Sequence, residues 1–336
     1  MISRQIVLIL GAGASIPFGF PSGVGLYKEV LALPQNSAEE QLLRACGLTY
    51  EHCELFKDNL RHSGRTSVDA FLETRPDLIR VGKPLMALAL IKHEHTSALF
   101  APEKKGENWY DYLFEKMLTP HIDRFGNNKI SFITYNYDRS LEMYLGAALE
   151  AAYGAPMDDI AKQLSRIRII HLHGKMGNLP FEDGPNRPYS AELTEESFRI
   201  GYGGIKIIHE SIDREPQFEQ AHELLSEAQI VCFLGFGYHE TNVNRLMLAK
   251  ITEAGFYGTT YGMVDAEEQA LVNWFSTRLS IYNMDILSFL RRSAVLRRQK
   301  RVSLVKNVSW TKSYDPVIFE WEWGSRWACP DFSDSE

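Results

Sequence analysis

The chain has no C-x-x-C pair. Its four cysteines, Cys46, Cys53, Cys232 and Cys329, stand apart, which excludes a zinc ribbon and leaves free thiols as the simplest state. No apolar run approaches the ~20 residues of a membrane span. Positive charge is in deficit: 36 Lys and Arg face 43 Asp and Glu, a net charge of −7, which argues against a general nucleic-acid binder. There is no internal repeat and no low-complexity segment. The N-terminus has the outline of a signal peptide, with Arg4, an apolar stretch and then Ala12-Gly13-Ala14. The stretch is shorter than the usual ~7–15 apolar residues, so a cytoplasmic protein is expected. What remains is a 336-residue chain of ordinary globular composition, long enough for one large α/β domain with insertions or for two modest domains.

The most informative segment is Ile6–Leu10 running into Gly11-Ala12-Gly13-Ala14-Ser15. A β-branched apolar strand ending in a glycine-rich turn lets a parallel sheet bring a phosphate close to backbone N–H groups and a helix N-terminus. A bare tight turn is the competing reading. The dinucleotide fingerprint of dehydrogenases is incomplete: Ile16 stands where the third glycine belongs, and the next glycines are Gly19 and Gly23. No strand ending in Asp or Glu follows about twenty residues later to grip a ribose. Hydride transfer is therefore disfavoured.

Short apolar strands are expected at Ile6–Leu10, Lys129–Thr134, Ile167–Leu172, Ile230–Leu234, Thr259–Val264 and Leu279–Tyr282, with helices over Leu141–Ala152, Phe218–Ser226 and Asn242–Glu253 between them. This alternation predicts an α/β, Rossmann-like doubly wound parallel sheet. Residues 36–125 read as an inserted helical subdomain, with helical pieces at Gln41–Cys46, Ser67–Glu73 and Tyr110–Met117. The expected division is a nucleotide-binding core of residues 1–35 and 126–290, the insertion 36–125, and an extension 291–336. A Gly- and Pro-rich excursion at about 175–215 reads as a loop that could cover a ligand. The extension holds a basic run, Arg291, Arg292, Arg297, Arg298, Lys300 and Arg301, readable as a solvated helix end or a docking site. It also holds an alternating strand with Phe319, Trp321 and Trp323 on one face, which would pack on its own domain or extend another chain's sheet.

Four strand ends carry the chemistry. The first is the Gly11–Ser15 turn. The second is Thr134-Tyr135-Asn136-Tyr137-Asp138, the third His171-Leu172-His173-Gly174, and the fourth Gly235-Phe236-Gly237. In an open parallel sheet, ligands bind beyond the carboxyl ends of the strands, so these groups would converge on one crevice. Each has a plainer reading. Asn136 and Asp138 could cap the following helix. His171 and His173 share a face if their strand continues, and a lone strand histidine is commonly a satisfied core residue. Gly174 suggests that the strand stops and exposes the ring. His93 and His95 do not make a metal site, since alternate positions diverge and no third ligand is near in sequence.

The order Gly-Ala-Gly-x-Ser, Thr-x-Asn-Tyr-Asp, His-Gly and Gly-Phe-Gly resembles the sirtuin-like NAD-consuming domains of bacteria, found alone or fused in phage-defence systems. The resemblance covers roughly residues 5–290, and Ser67-Val68-Asp69-Ala70-Phe71-Leu72 also looks like a stretch that recurs there, with no role assigned. It implies that Gly11, Ala12, Gly13 and Ser15 hold the NAD+ pyrophosphate and that Asn136 lies beside the nicotinamide ribose. Asp138 would be the neighbouring acid, His173 the catalytic base, and Gly235 and Gly237 further cofactor contacts. Two features of classical sirtuins are missing: the zinc module with paired C-x-x-C motifs, and the Gly-Ile-Pro-Asp-Phe-Arg run, replaced here by Gly19-Phe20-Pro21-Ser22-Gly23. The expectation is an NAD+ glycohydrolase that uses NAD+ as substrate, without zinc, depleting NAD+ in antiphage defence. The alternatives are a non-catalytic NAD or ADP-ribose sensor and, further off, a protein deacylase. A homo-oligomer is expected, and by analogy a HerA-type ATPase or another defence partner.

Overall fold

The computed structural model describes residues 1–207, 215–276 and 278–296. Strands β1 (Ile6–Leu10), β2 (Ile130–Thr134), β3 (Ile169–His171), β4 (Ile230–Leu234), β5 (Gly255–Thr259) and β6 (Leu279–Tyr282) form one sheet. Its order is β3-β2-β1-β4-β5-β6, with parallel neighbours throughout. The helices between β1 and β2 are α1 (Gly23–Ala32), α2 (Ser37–Ala45), α3 (Tyr50–His62), α4 (Val68–Thr74), α5 (Ile79–Ile91), α6 (Thr96–Leu99) and α7 (Trp109–Met117). Then come α8 (Ser140–Tyr153) and α9 (Met157–Leu164) before β3, and α10 (Glu195–Gly204) and α11 (Pro216–Ser226) before β4. The last are α12 (Glu240–Arg245), α13 (Asp265–Trp274) and α14 (Ile286–Ser293). This is a Rossmann-like, doubly wound α/β fold.

Strand periodicity divides the core in two. Ile6, Leu8 and Leu10 face one side and pack with Phe132, Cys232 and the helices inserted between β1 and β2. Val7 and Ile9 face the other, with Ile133, Val231 and Phe233, under Leu224 and Leu225 of α11 and Leu271 of α13. Burial on both faces explains why these strands read as continuous apolar runs. The inserted helices therefore share the sheet's own core.

Register places the chemistry. Leu10 is level with both Thr134 and Leu234, and Thr134 with His171, so four strands stop at one edge. The chain switches direction along the sheet between β1 and β4, which is where such sheets bind ligands.

Several expectations need correction. The fifth strand is Gly255–Thr259, not Thr259–Val264. Gly255 and Gly258 hid it, and Gly258 is required: a Cβ there would lie 2.0 Å from the Tyr238 hydroxyl. The helix expected over Asn242–Glu253 stops at Arg245, and Met247 takes a left-handed φ of 48° before a short 3-10 turn. The excursion at 175–215 contains a helix, α10, closed at its start by reciprocal capping between Thr194 and Ser197. Residues 297–336 lie outside the described residues, and with them the rest of the basic run and the aromatic strand; Arg291 and Arg292 end α14. No helix among the described residues is long and apolar enough to cross a membrane.

Candidate active site

At the switch point two glycine turns lie against each other. Gly11 N–H donates to Leu234 O at 3.1 Å and Gly13 N–H to Gly235 O at 2.9 Å. A Cβ on Gly11 would lie 2.6 Å from Gly235 O, and one on Gly235, whose φ is +56°, 2.3 Å from Ala14 N. The reason for these glycines is thus more local than the sequence suggests: they permit turn-on-turn contact, and the two N–H groups serve that contact. The helix N-terminus is also displaced. Two short 3-10 turns follow Gly11, and α1 opens only at Gly23, capped by Ser22.

Next to this pair sits the loop after β2. Asn136 Nδ2 donates to Gly11 O and to Ser15 Oγ, both at 3.0 Å. Ser15 Oγ in turn donates to Asp138 Oδ2 at 2.7 Å. Since Gly11 O can only accept, the amide orientation is determined: Nδ2 faces the glycine turn, and Oδ1 has no hydrogen bond to a described residue. Asp138 Oδ1 accepts from the backbone N–H of Ser140 at 3.1 Å and from its hydroxyl. Burial pushes the Asp138 carboxyl above its ordinary range, against the hydrogen bonds from Ser140 and Ser15. Ser15, Asn136 and Asp138, chosen from three separate motif positions, are thus one connected group around Gly11.

His171 and His173 do not share a face. The strand ends at His171 and Gly174 turns the chain at φ +70°. The His171 ring goes to Glu142 of α8 (2.7 Å) and to Asn136 O (2.9 Å). The His173 ring lies edge-on to Tyr135, centroids 5.3 Å apart, and 6.0 Å from Tyr137. It is 6% exposed, and its Nε2 is buried without a hydrogen-bond partner among the described residues. Burial, then the charge of Arg245, lowers its pKa to about 4, opposed by Glu73. The ring is therefore neutral at pH 7, more completely so than at the ordinary value near ~6.5, though it is also a weaker base.

Other neighbours of this site were not singled out in the sequence. Arg245 Nη1 meets Glu73 Oε1 at 3.1 Å, and Tyr137 Oη donates to Asp69. The Ser67–Leu72 stretch thereby gains a role: Ser67 caps α4, and Asp69 anchors the tyrosine between Asn136 and Asp138. His93 pairs with Glu29 at 2.9 Å, while its neighbour Glu94 is the buried partner of Arg139 and Arg187. Arg139, just before α8, also donates to Pro188 O, and Arg187 meets Glu94 just after α5, so the excursion is tied down at least as far as Pro188. Among the described residues, no cluster of three or more His, Cys, Asp or Glu is placed to hold a metal.

A cavity of about 520 Å³ opens on the other side of the glycine turns. Gly13, Gly235 and Gly237 line it, with Trp109, Thr260 and Tyr261 among the surrounding side chains. Asn136, Asp138 and His173 do not line it. A larger groove, about 760 Å³, runs along the β3 edge of the sheet, away from the glycine turns.

A doubly wound sheet with glycine turns, a carboxamide and a carboxylate at its switch point defines an α/β protein of the Rossmann-like class, and the switch point is where such sheets take ligands. Residues 130–277 match the family model of the SIR2-like domain, which supports a sirtuin-like domain in this chain. The match spans Asn136, Asp138, His173, Gly235 and Gly237, while the Gly11–Ser15 turn precedes it. SIR2-like domains are typically NAD-dependent enzymes, and the match suggests an NAD-related activity in general terms. No curated protein is a significant match to the chain.

Proposed function

We infer that the protein hydrolyses NAD+ at the nicotinamide–ribose bond, giving nicotinamide, ADP-ribose and a proton. The observation that carries this reading is the pairing of a fixed Asn136, whose Oδ1 has no partner among the described residues, with a buried neutral His173 whose Nε2 likewise has none among them. The 520 Å³ cavity would take the adenosine half, with Gly13, Gly235 and Gly237 of its lining at the pyrophosphate; Ala12 and Ser15 flank Gly13 in the same turn. When the C–N bond breaks, nicotinamide leaves with the bonding electrons and is neutral, so no strong acid is needed. Asn136 Oδ1 would accept a hydrogen bond from the ribose or from the attacking water, and His173 would take the water's proton. Asp138, engaged by Ser15 and Ser140, serves in this reading to hold Asn136's neighbours in place.

Nicotinamide release from NAD+ alone, followed by chromatography, tests the reading. Because His173 is lowered to about 4, the rate should stay flat from neutral pH down to about 5 and fall only as the imidazole protonates. An acid limb centred near the free-histidine value, about 6.5, would remove His173 as the base. Release that requires an acylated peptide would instead establish a deacylase.

The cavity also predicts which dinucleotide enters. Among the described residues its lining includes Glu107 and Asp285 but no Lys or Arg. An added ribose phosphate would meet like charge there, and NADP+ should bind about 10-fold more weakly or worse than NAD+ in calorimetry, a difference of about 1.4 kcal/mol. Equal affinity would place the adenosine elsewhere.

A second reading has one observation in its favour. His173 does not line the cavity and its ring packs on Tyr135 and Tyr137, with Phe236 against Tyr135, so this conformation could bind NAD+ or ADP-ribose without cleaving it, as a sensor would. Binding without release under every condition would establish that reading. In the hydrolase reading the same packing restrains the enzyme, and NAD+ depletion in antiphage defence is its purpose. A homo-oligomer, or a partner such as a HerA-type ATPase, would relieve it.

A further inference from the structure

His171 is not the residue on which the hydrolase reading turns, yet it is bonded directly to one that is. It closes β3, and its ring is buried at 8% exposure. Nδ1 lies 2.9 Å from the backbone oxygen of Asn136, and Nε2 lies 2.7 Å from Glu142 Oε1. Both partners are acceptors. A proton on Nδ1 therefore serves the Asn136 carbonyl, and one on Nε2 serves the Glu142 carboxylate. Lys175 Nζ stands 3.6 Å from the same Glu142 oxygen and 2.6 Å from Glu182, so Glu142 is approached by the His171 ring and by an ammonium group. Burial pushes the Glu142 carboxyl up, but His171 and Lys175 outweigh it and hold it at about 2.

The other atoms of Asn136 are also fixed. Its N–H donates to Thr134 Oγ1 at 3.0 Å and its Nδ2 to Gly11 and Ser15. His171 supplies the remaining restraint, on the carbonyl. We propose that the Glu142–His171 pair is a positioning device: Glu142 on α8 orients the ring, and His171 Nδ1–H holds the Asn136 peptide so that Oδ1 meets the ribose or water. The proposal rests on the hydrolase reading for its catalytic meaning and on the two contacts for its geometry.

Two substitutions separate positioning from bulk packing. In His171→Asn the side-chain amide can occupy the Nδ1 position and still donate to Asn136 O. In His171→Gln the amide reaches the Nε2 position, toward Glu142, and leaves Asn136 O without its donor. Both remove the same ring. Misplacement of a reacting group by about 1 Å can cost on the order of 100-fold. His171→Gln should therefore lower kcat for nicotinamide release by roughly 30- to 100-fold with little change in KM for NAD+, and His171→Asn by less than about 5-fold. Glu142→Gln, which leaves the ring without its charged orienter, should fall between them.

Equal losses in the Asn and Gln variants would overturn the positioning role, as would a rise in KM with kcat intact. Crystal structures of the two variants read the same claim without turnover: the Asn136 oxygen keeps its place in His171→Asn and shifts in His171→Gln. If the wild-type protein releases no nicotinamide, the hydrolase reading fails, and these structures still decide whether His171 holds Asn136.

Discussion

Replacing Asn136 with alanine should abolish nicotinamide release while the chain remains folded. The substitution removes Oδ1, the one polar atom of that side chain with no bond to a described residue, and it removes the Nδ2 donor to Gly11 O and Ser15 Oγ. Loss of one positioned polar group at a reacting centre costs about 10²–10³ in kcat. The lost hydrogen bonds cost about 1–3 kcal/mol of stability, which a chain of this size tolerates. NAD+ affinity should change little, because the 520 Å³ cavity is lined by other residues. His173→Ala should lose about 10²–10⁴ in rate by removing the proton acceptor. It removes a buried nitrogen without a partner among the described residues, but also a ring packed against Tyr135 and Tyr137, so its stability should fall by about 2 kcal/mol. Thermal unfolding, calorimetry with NAD+ and chromatography of nicotinamide on the same preparations read the three quantities. Wild-type turnover in either folded variant would end the assignment of these two residues.

Much of the framework around these residues can be read in order along the chain. The sharp strands were legible because burial on both faces makes them short apolar runs, and β1, β4 and β6 have the bounds their residues suggest. β5 was not, because two of its five residues are glycines selected by contact with neighbours, Gly258 by the Tyr238 hydroxyl. The convergence of the strand ends follows from parallel topology, and Ser15, Asn136 and Asp138 are in contact as that topology requires. What the sequence could not disclose is which donor meets which acceptor. Ser15 and Asp138 are 123 positions apart and Arg245 and Glu73 are 172 apart; no local pattern records such pairs. The two histidines show the same limit. Their spacing suggests one shared face, and a single positive-φ glycine sends one ring to Glu142 and the other to a tyrosine wall.

The largest effect on stability should come from a residue outside the reacting centre. Glu94 is completely buried and sits between two guanidinium groups. Arg139 donates to it through Nε at 3.0 Å and Nη2 at 2.6 Å, and Arg187 approaches at 2.8 Å. The Arg side chains are 0% and 1% exposed, so neither charge can turn to water. Glu94→Gln keeps the shape and leaves two buried cations with no anion. Breaking a buried pair in this way costs about 3–5 kcal/mol, against a typical total of about 5–15 kcal/mol. The melting temperature should fall by roughly 10 °C, since each kcal/mol moves a domain of this size by about 2–4 °C. Glu195→Gln is the control: its ion pair with Arg199 is more than half exposed on both sides, and its loss should be hard to measure. The two variants make the same chemical change, so a difference between them reports burial alone. If both melt with the wild type, the triad does not hold the fold. If Glu94→Gln melts early, nicotinamide release should fail with it, because Arg139 follows Asp138 directly and its guanidinium anchors the start of α8 to the backbone of residues 178, 187 and 188.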